Sequence, residues 1–198
     1  MQELSYLALG DSYTIGEGVA EAERWPVQLV TRLRIAGIQI ADPHIIARTG
    51  WTTGELIAGI KTADPQGPYH LATLLIGVNN QYRGLAMTDY RHEFRDLLQQ
   101  AIQLIAGEPG CIVVLSIPDW SVTPFAEGRD RAQIATEIDL FNQINREETV
   151  KQGARYVDIT PLSRTAVSDP QLITKDGLHP SAKMYAAWVT QVLPVLRL

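Results

Sequence analysis

Short apolar runs recur along the chain, separated by stretches long enough for a helix, and this spacing restricts the fold more than any other feature. LATLLIG at 71–77 is apolar almost without a break, and LSYLALG at 4–10 and CIVVLSIP at 111–118 are close to it. A strand that is apolar at nearly every position has both faces covered, which suits a parallel sheet lying between helical layers. HIIARTG at 44–50 and ARYVDI at 154–159 supply two further strands. The intervening segments carry helical spacing. One helix is expected over 25–36, starting near Pro26. A second runs over 88–106, capped by Thr88, with Phe94, Leu97, Leu98, Ile102 and Ile105 on one side. A third covers 130–152 with Ile134, Ile138, Phe141 and Ile144, and a last one after Pro180 turns Tyr185, Trp188, Val189, Val192 and Leu193 to the core. The segment 160–178 reads as a long polar loop. The expected fold is therefore a three-layer α/β/α sandwich around a five-stranded parallel sheet, with reactive loops at the carboxyl ends of the strands.

At 198 residues and 45% hydrophobic composition, residues 1–198 are expected to form a single domain. The formal charge of -5, from 17 basic and 22 acidic side chains without a long basic cluster, gives no electrostatic reason to expect a nucleic-acid partner. No apolar run reaches bilayer length and no basic leader with an apolar signal core opens the chain, so no integral membrane association is expected. A cytoplasmic location is the default expectation, with secretion left open if a leader has been removed. The single Cys111 excludes an internal disulfide and reads as a small apolar group.

Three distant stretches share a chemistry: Gly-Asp-Ser at 10–12, Gly-Val-Asn-Asn at 77–80 and Asp-Gly-Leu-His at 176–179. Ser12 follows the first strand, where a turn exposes its hydroxyl as a nucleophile; alone, the tripeptide fits a helix cap or an ordinary strand-end serine better. His179 is placed to act as general base, and Asp176, three residues earlier, to orient the other imidazole nitrogen; alone, DGLHP is an ordinary surface turn. Asn79 and Gly50 each follow a strand and can donate N–H groups to a developing oxyanion together with the Ser12 amide, the rival role for both being turn capping. The other histidines, His44, His70 and His92, share no metal-ligand spacing, so no metal is expected. The G-x-G-x-x-G fingerprint of dinucleotide binding is missing after the first strand.

On these residues the chain resembles the SGNH hydrolases, also called GDSL-like esterases and lipases. The match runs through Ser12 in GDSY, Gly50 in ARTGWTT, Asn79 in GVNN and His179 in DGLHP, and spans nearly the whole chain. The resemblance implies the flavodoxin-like fold of that family. It makes Ser12 the nucleophile, His179 and Asp176 the other members of the triad, and Ser12, Gly50 and Asn79 the oxyanion hole. Two positions depart from the family pattern: Tyr13 stands where leucine is common and Asn80 where aspartate is common. Asp11 and Asn80 are expected to support the turns.

The reaction expected of these groups is cofactor-free, two-step hydrolysis of a small-molecule carboxylic ester through an acyl-enzyme. Short acyl or acetyl esters are preferred, since no lipid-binding lid or long apolar surface segment is evident. Lysophospholipase and acyl thioesterase remain alternatives with the same triad, and a catalytically silent binding protein of the same fold is the alternative from another class. Trp51, Tyr82, Met87, Trp120 and Phe125 are candidates for the pocket walls, and the connection 120–131 for a movable one. Arg83 alone is too little to indicate an anionic substrate.

Overall fold

The computed structural model describes residues 3–197. Five strands, β1 (Tyr6–Gly10), β2 (His44–Ala47), β3 (Leu71–Leu75), β4 (Ile112–Leu115) and β5 (Arg155–Val157), pair in the order β2-β1-β3-β4-β5. Every pairing is parallel. Each strand is shorter than the apolar run that announced it: β2 and β3 lose the end of the run to a loop, β1 loses its start, and β4 and β5 lose residues at both ends. β1 and β3 are buried at every position, as expected for central strands covered on both faces.

The helices arise from local signals. Helix α1 (Ser12–Ile15) is a single turn after β1, and α2 (Trp25–Ile35) starts with Pro26 in its first turn. Helix α3 (Thr53–Ala63) is one that the apolar spacing did not announce. Thr52 caps it, accepting the Glu55 N–H, while the Glu55 carboxylate accepts the Thr52 N–H at 2.8 Å, a reciprocal capping box. Helix α4 (Val78–Tyr82) is short, and α5 (Met87–Leu104) begins after Ala86 with no side-chain cap. Thr88 is thus inside the first turn and does not cap it. Asp130 caps α6 (Arg131–Lys151) by accepting the Gln133 N–H.

The 160–178 segment is not a featureless loop. Helix α7 (Thr160–Arg164) begins it, followed by 3-10 turns at Thr165–Val167 and Pro170–Leu172. Its start is tied to the sheet: the buried Ser116 hydroxyl, just past β4, accepts the N–H groups of Ile159 and Thr160 at 2.8 and 3.0 Å. Two polar residues of the segment, Thr160 and Ser163, are buried and bond backbone, Thr160 Oγ1 donating to the Ile117 carbonyl and Ser163 Oγ accepting the Asp119 N–H, while most of the others face solvent. The last helix, α8 (Ala182–Val192), is capped by Ser181.

The β1–α2–β2 unit steps one way from β1 and the later units step the other way. Right-handed crossovers therefore place α2 on one face and α3, α5 and α6 on the other. Contacts between α2 and α8, between α3 and α5 and between α5 and α6 agree with those layers. Trp25, Trp188, Tyr185 and Tyr90 are among the largest fully buried side chains, and Cys111 packs half-buried against the core. None of the described helices is long and apolar enough to cross a membrane.

The chain order reverses at β1, so a crevice opens beyond the carboxyl ends of β1 and β3. Gly10 lies level with Ala47 of β2 and Leu75 of β3, so the loops carrying Ser12, Gly50 and Asn79 leave the sheet side by side. Because the Thr52–Glu55 box starts the helix after one of these loops, Thr52→Ala is expected to lower unfolding free energy by about 1 kcal/mol, measured by urea denaturation.

Candidate active site

Ser12 is the first residue of α1, and Asp11 caps that turn by accepting the Tyr13 N–H on Oδ1 at 3.0 Å. The turn is tight enough to demand glycine before it: a Cβ on Gly10 would come within 2.2 Å of Thr14 Oγ1 and 2.5 Å of the Leu75 carbonyl oxygen. Asp11 is wholly buried and its Oδ2 has no partner among the described residues. Burial pushes its carboxyl up to about 7, against the opposing hydrogen bond from the Tyr13 amide.

Gly50 sits between β2 and α3 with φ at 87°, a conformation glycine adopts without strain. Asn79, on α4, donates from Nδ2 to the Trp51 carbonyl at 2.9 Å, which orients its amide and leaves the second N–H of that group unengaged. Asn80, 1% exposed, accepts the Thr53 N–H at 3.1 Å and donates to Thr53 Oγ1 at 2.7 Å, while Thr53 Oγ1 donates to Glu93. This reciprocal pair ties the start of α3 to α4 and so holds the Gly50 loop beside Asn79. An amide suits the position because one group supplies both acceptor and donor.

His179 and Asp176 meet directly, Nδ1 to Oδ2, at 2.6 Å. The other carboxylate oxygen accepts the Leu178 and His179 N–H groups at 2.8 and 3.0 Å and the Thr174 hydroxyl at 2.6 Å. Partial burial would raise the Asp176 pKa, but these donors outweigh it and hold the carboxyl well below the usual range. With Nδ1 engaged by Asp176, Nε2 is the ring nitrogen left for other partners.

A cavity of about 180 Å³ joins these elements, lined by Ser12, Gly50, Asn79 and His179 together with Tyr13, Thr49, Val78, Tyr82, Trp120, Phe125 and Leu178. Of the expected wall residues, Tyr82, Trp120 and Phe125 are there, their ring centroids 5.6–6.1 Å apart. Arg129 lies over all three rings at 5.0–5.5 Å. Trp51 and Met87 are not in the cavity wall. The Trp51 ring turns back onto α3 over Gly59, where an added Cβ would fall 2.3 Å from it. Met87 begins α5 and borders a separate depression with Arg91, His92 and Leu140.

Sequence reasoning missed four wall residues, Tyr13, Thr49, Val78 and Leu178. Each neighbours a motif residue, which was the available signal. Tyr13, 3% exposed, stands edge-on to both the His179 ring at 5.9 Å and Trp188 at 6.3 Å. The larger ring, at the position where leucine is common in the family pattern, thus supports the imidazole from the core side. The 120–131 connection is tied down: Phe125 N–H donates to the Gly177 carbonyl at 2.9 Å, Asp119 pairs with Arg164 at 2.8 Å, and Arg131 donates to the Ser121 carbonyl. Arg83 is engaged by Glu55 at 3.3 Å and by the Gly50 carbonyl. No group of three or more His, Cys, Asp or Glu able to hold a metal occurs among the described residues.

The family model described as GDSL-like Lipase/Acylhydrolase matches residues 8–187. The chain belongs to that family. Membership makes it a carboxylic ester hydrolase by class. No curated protein matches the chain by sequence. Among solved structures, the crystal structure of TesA aligns with this GDSL-like hydrolase at a TM-score of 0.75 and 18% identity, over 98% of each chain. The psychrotrophic esterase EstA from Pseudoalteromonas sp., in a structure inhibited by monoethylphosphonate, aligns at 0.74 and 15%, over 98% of this chain and 96% of its own. Axe2, an acetylxylan esterase from Geobacillus stearothermophilus, aligns at 0.72 and 16%, with the same coverage. At these identities the structures show a shared fold.

The raised Asp11 carboxyl of this GDSL-like hydrolase gives a pH prediction. A group whose folded pKa is raised binds its proton more tightly when folded, so its contribution is fully present below the unfolded value of about 3.9 and is lost as pH rises. The loss is complete above the folded value of about 7. Asp11→Asn, which keeps an acceptor for the Tyr13 amide, is expected to gain stability relative to the intact protein as pH rises from 4 to 8. Paired thermal melts across that range check it, and a constant difference would show that Asp11 does not titrate there.

Proposed function

We propose that the chain is a serine esterase acting on carboxylic esters with short acyl or acetyl groups, through Ser12, His179, Asp176 and a covalent acyl-enzyme, with residues 1–198 as one domain. The observation that carries the reading is the 2.6 Å His179–Asp176 pair in a cavity that Ser12, Gly50 and Asn79 also line. In the proposed reaction Ser12 Oγ attacks the ester carbonyl and His179 Nε2 takes its proton. Asp176 fixes the tautomer and stabilises the imidazolium. The negative oxygen is received by the N–H groups of Ser12 and Gly50 and the unengaged Nδ2–H of Asn79. His179 returns the proton to the departing alcohol, then activates the water that releases the acid.

Short acyl groups are favoured by the cavity's size. Pockets for drug-sized ligands run to about 300–1,000 Å³, whereas this one measures about 180 Å³. The names of two structural relatives, an esterase and an acetylxylan esterase, agree with an ester substrate. Tyr82 and Phe125, exposed at the rim, favour a second reading, lysophospholipase or acyl thioesterase with the same triad, in which a longer chain would leave over those rings.

Hydrolysis of p-nitrophenyl acetate, butyrate, octanoate and palmitate by the intact protein and by Ser12→Ala tests both. Turnover is expected to fall from acetate or butyrate toward palmitate and to be at background in Ser12→Ala; a palmitate optimum selects the second reading. Asn79→Ala is expected to lower kcat/KM by about 10²–10³. An unchanged rate in that variant would remove Asn79 from the oxyanion hole.

A further inference from the structure

Gln81 lies two residues beyond Asn79 on α4, is 6% exposed, and forms no part of the cavity surface. Its side chain is nevertheless engaged at both ends. Oε1 accepts the Trp120 indole N–H at 2.8 Å, and Nε2 donates to Glu137 Oε2 on α6 at 2.7 Å. The other Glu137 oxygen accepts from Gln133 Nε2 at 2.8 Å. The bonds run in one direction, from indole to amide to carboxylate, and a neutral amide can accept from the first and donate to the second. Trp120, 3% exposed, is the most enclosed of the three rings that wall the cavity.

We propose that Gln81 is a positioning residue that limits acyl length, because it holds the Trp120 indole as the fixed end wall of the cavity through a hydrogen-bonded chain anchored on α6. The proposal rests on the reading of the cavity as an ester site. Turning the ring aside would break its bond to Gln81 and leave the indole N–H without that acceptor, which opposes the movement a longer acyl group needs. Packing against Tyr82, Phe125 and Arg129 also confines the ring, and the Gln81 bond adds a fixed direction to it. The residue that holds the wall and the proposed oxyanion donor Asn79 also stand on the same short helix, α4, so the end of the acyl site is built at a fixed offset from the reacting carbonyl.

Three variants test this: Gln81→Leu, Gln81→Glu, and the double variant Gln81→Glu with Glu137→Gln. In the double variant a carboxylate at 81 accepts the indole N–H and an amide at 137 donates to it, which rebuilds the chain with one bond reversed. The ratio of kcat/KM for p-nitrophenyl octanoate to that for acetate is expected to rise by about tenfold in Gln81→Leu, as discrimination against a few methylenes is lost, mainly through a lower KM for octanoate. Gln81→Glu alone is expected to raise the ratio, because it sets two carboxylates against each other, and the double variant to return it to that of the intact protein. An unchanged ratio in Gln81→Leu with a lowered melting temperature would reduce Gln81 to a structural role and overturn the proposal, as would a rise that the double variant fails to reverse. If the intact protein shows no Ser12-dependent turnover, the ester reading itself fails. The Trp120 indole N–H resonance, assigned by its loss in Trp120→Phe, then reads the chain directly: a shift and faster hydrogen exchange in Gln81→Leu that the double variant reverses supports it, and an unmoved resonance overturns it.

Discussion

The level at which β1, β2 and β3 end is the constraint on which the site depends. A one-residue slip of β1 would displace Ser12 by about 3.3 Å along the strand, out of step with the loops carrying Gly50 and Asn79. In a sheet with one solvent face, alternation of apolar and polar residues fixes the register. That device is missing here, because β1 and β3 are buried on both faces. Two local features take its place. The Tyr6 and Thr73 hydroxyls, both buried, bond each other across the pair at 2.8 Å, and a slip would leave both without that partner. At the other end Gly10 leaves no room for a side chain between Thr14 and the Leu75 carbonyl, so the next residue along the chain would not fit in its place.

Above the strand ends, each loop is held by its own buried polar contacts. The Asn80–Thr53 pair joins two of the loops, Thr53 continuing to Glu93. The Asp176 turn is closed within itself by the Thr174 hydroxyl and two backbone N–H groups, so the carboxylate that meets His179 is already fixed in place. Preorganisation of this kind lets a site stabilise developing charge without rearranging during reaction. Tyr13 and Trp188 extend the support into the core, as the His179 ring rests edge-on against Tyr13, which in turn rests against Trp188.

The strands and the longer helices other than α3 were legible because apolar burial writes its period directly into the residues. Helix α3 was not, since TGELIAGIKTA carries two glycines and only a sparse apolar stripe. Its signal was the Thr52-x-x-Glu55 box. Without α3, nothing in the sequence suggests that Gly59 receives the Trp51 ring. Met87 lies one residue before the run that Thr88 is expected to cap, and α5 starts with no side-chain cap to mark its true beginning. The polar groups of the candidate site were legible as short motifs, each tied to a strand end or a turn. Its walls were less so, because Tyr13, Val78 and Leu178 reach the cavity through tertiary packing, and Gln81 shows its connection to Trp120 only once α4 and the 120–126 turns are in contact.

The central claim is that this geometry makes Ser12 a nucleophile activated by His179. Labelling with a fluorophosphonate, then mass spectrometry of the digested protein, tests it most directly. The account predicts a single covalent adduct on Ser12 in the intact protein and its loss in His179→Ala. An adduct on another residue, no adduct at all, or labelling of Ser12 that persists unchanged without His179 would contradict it.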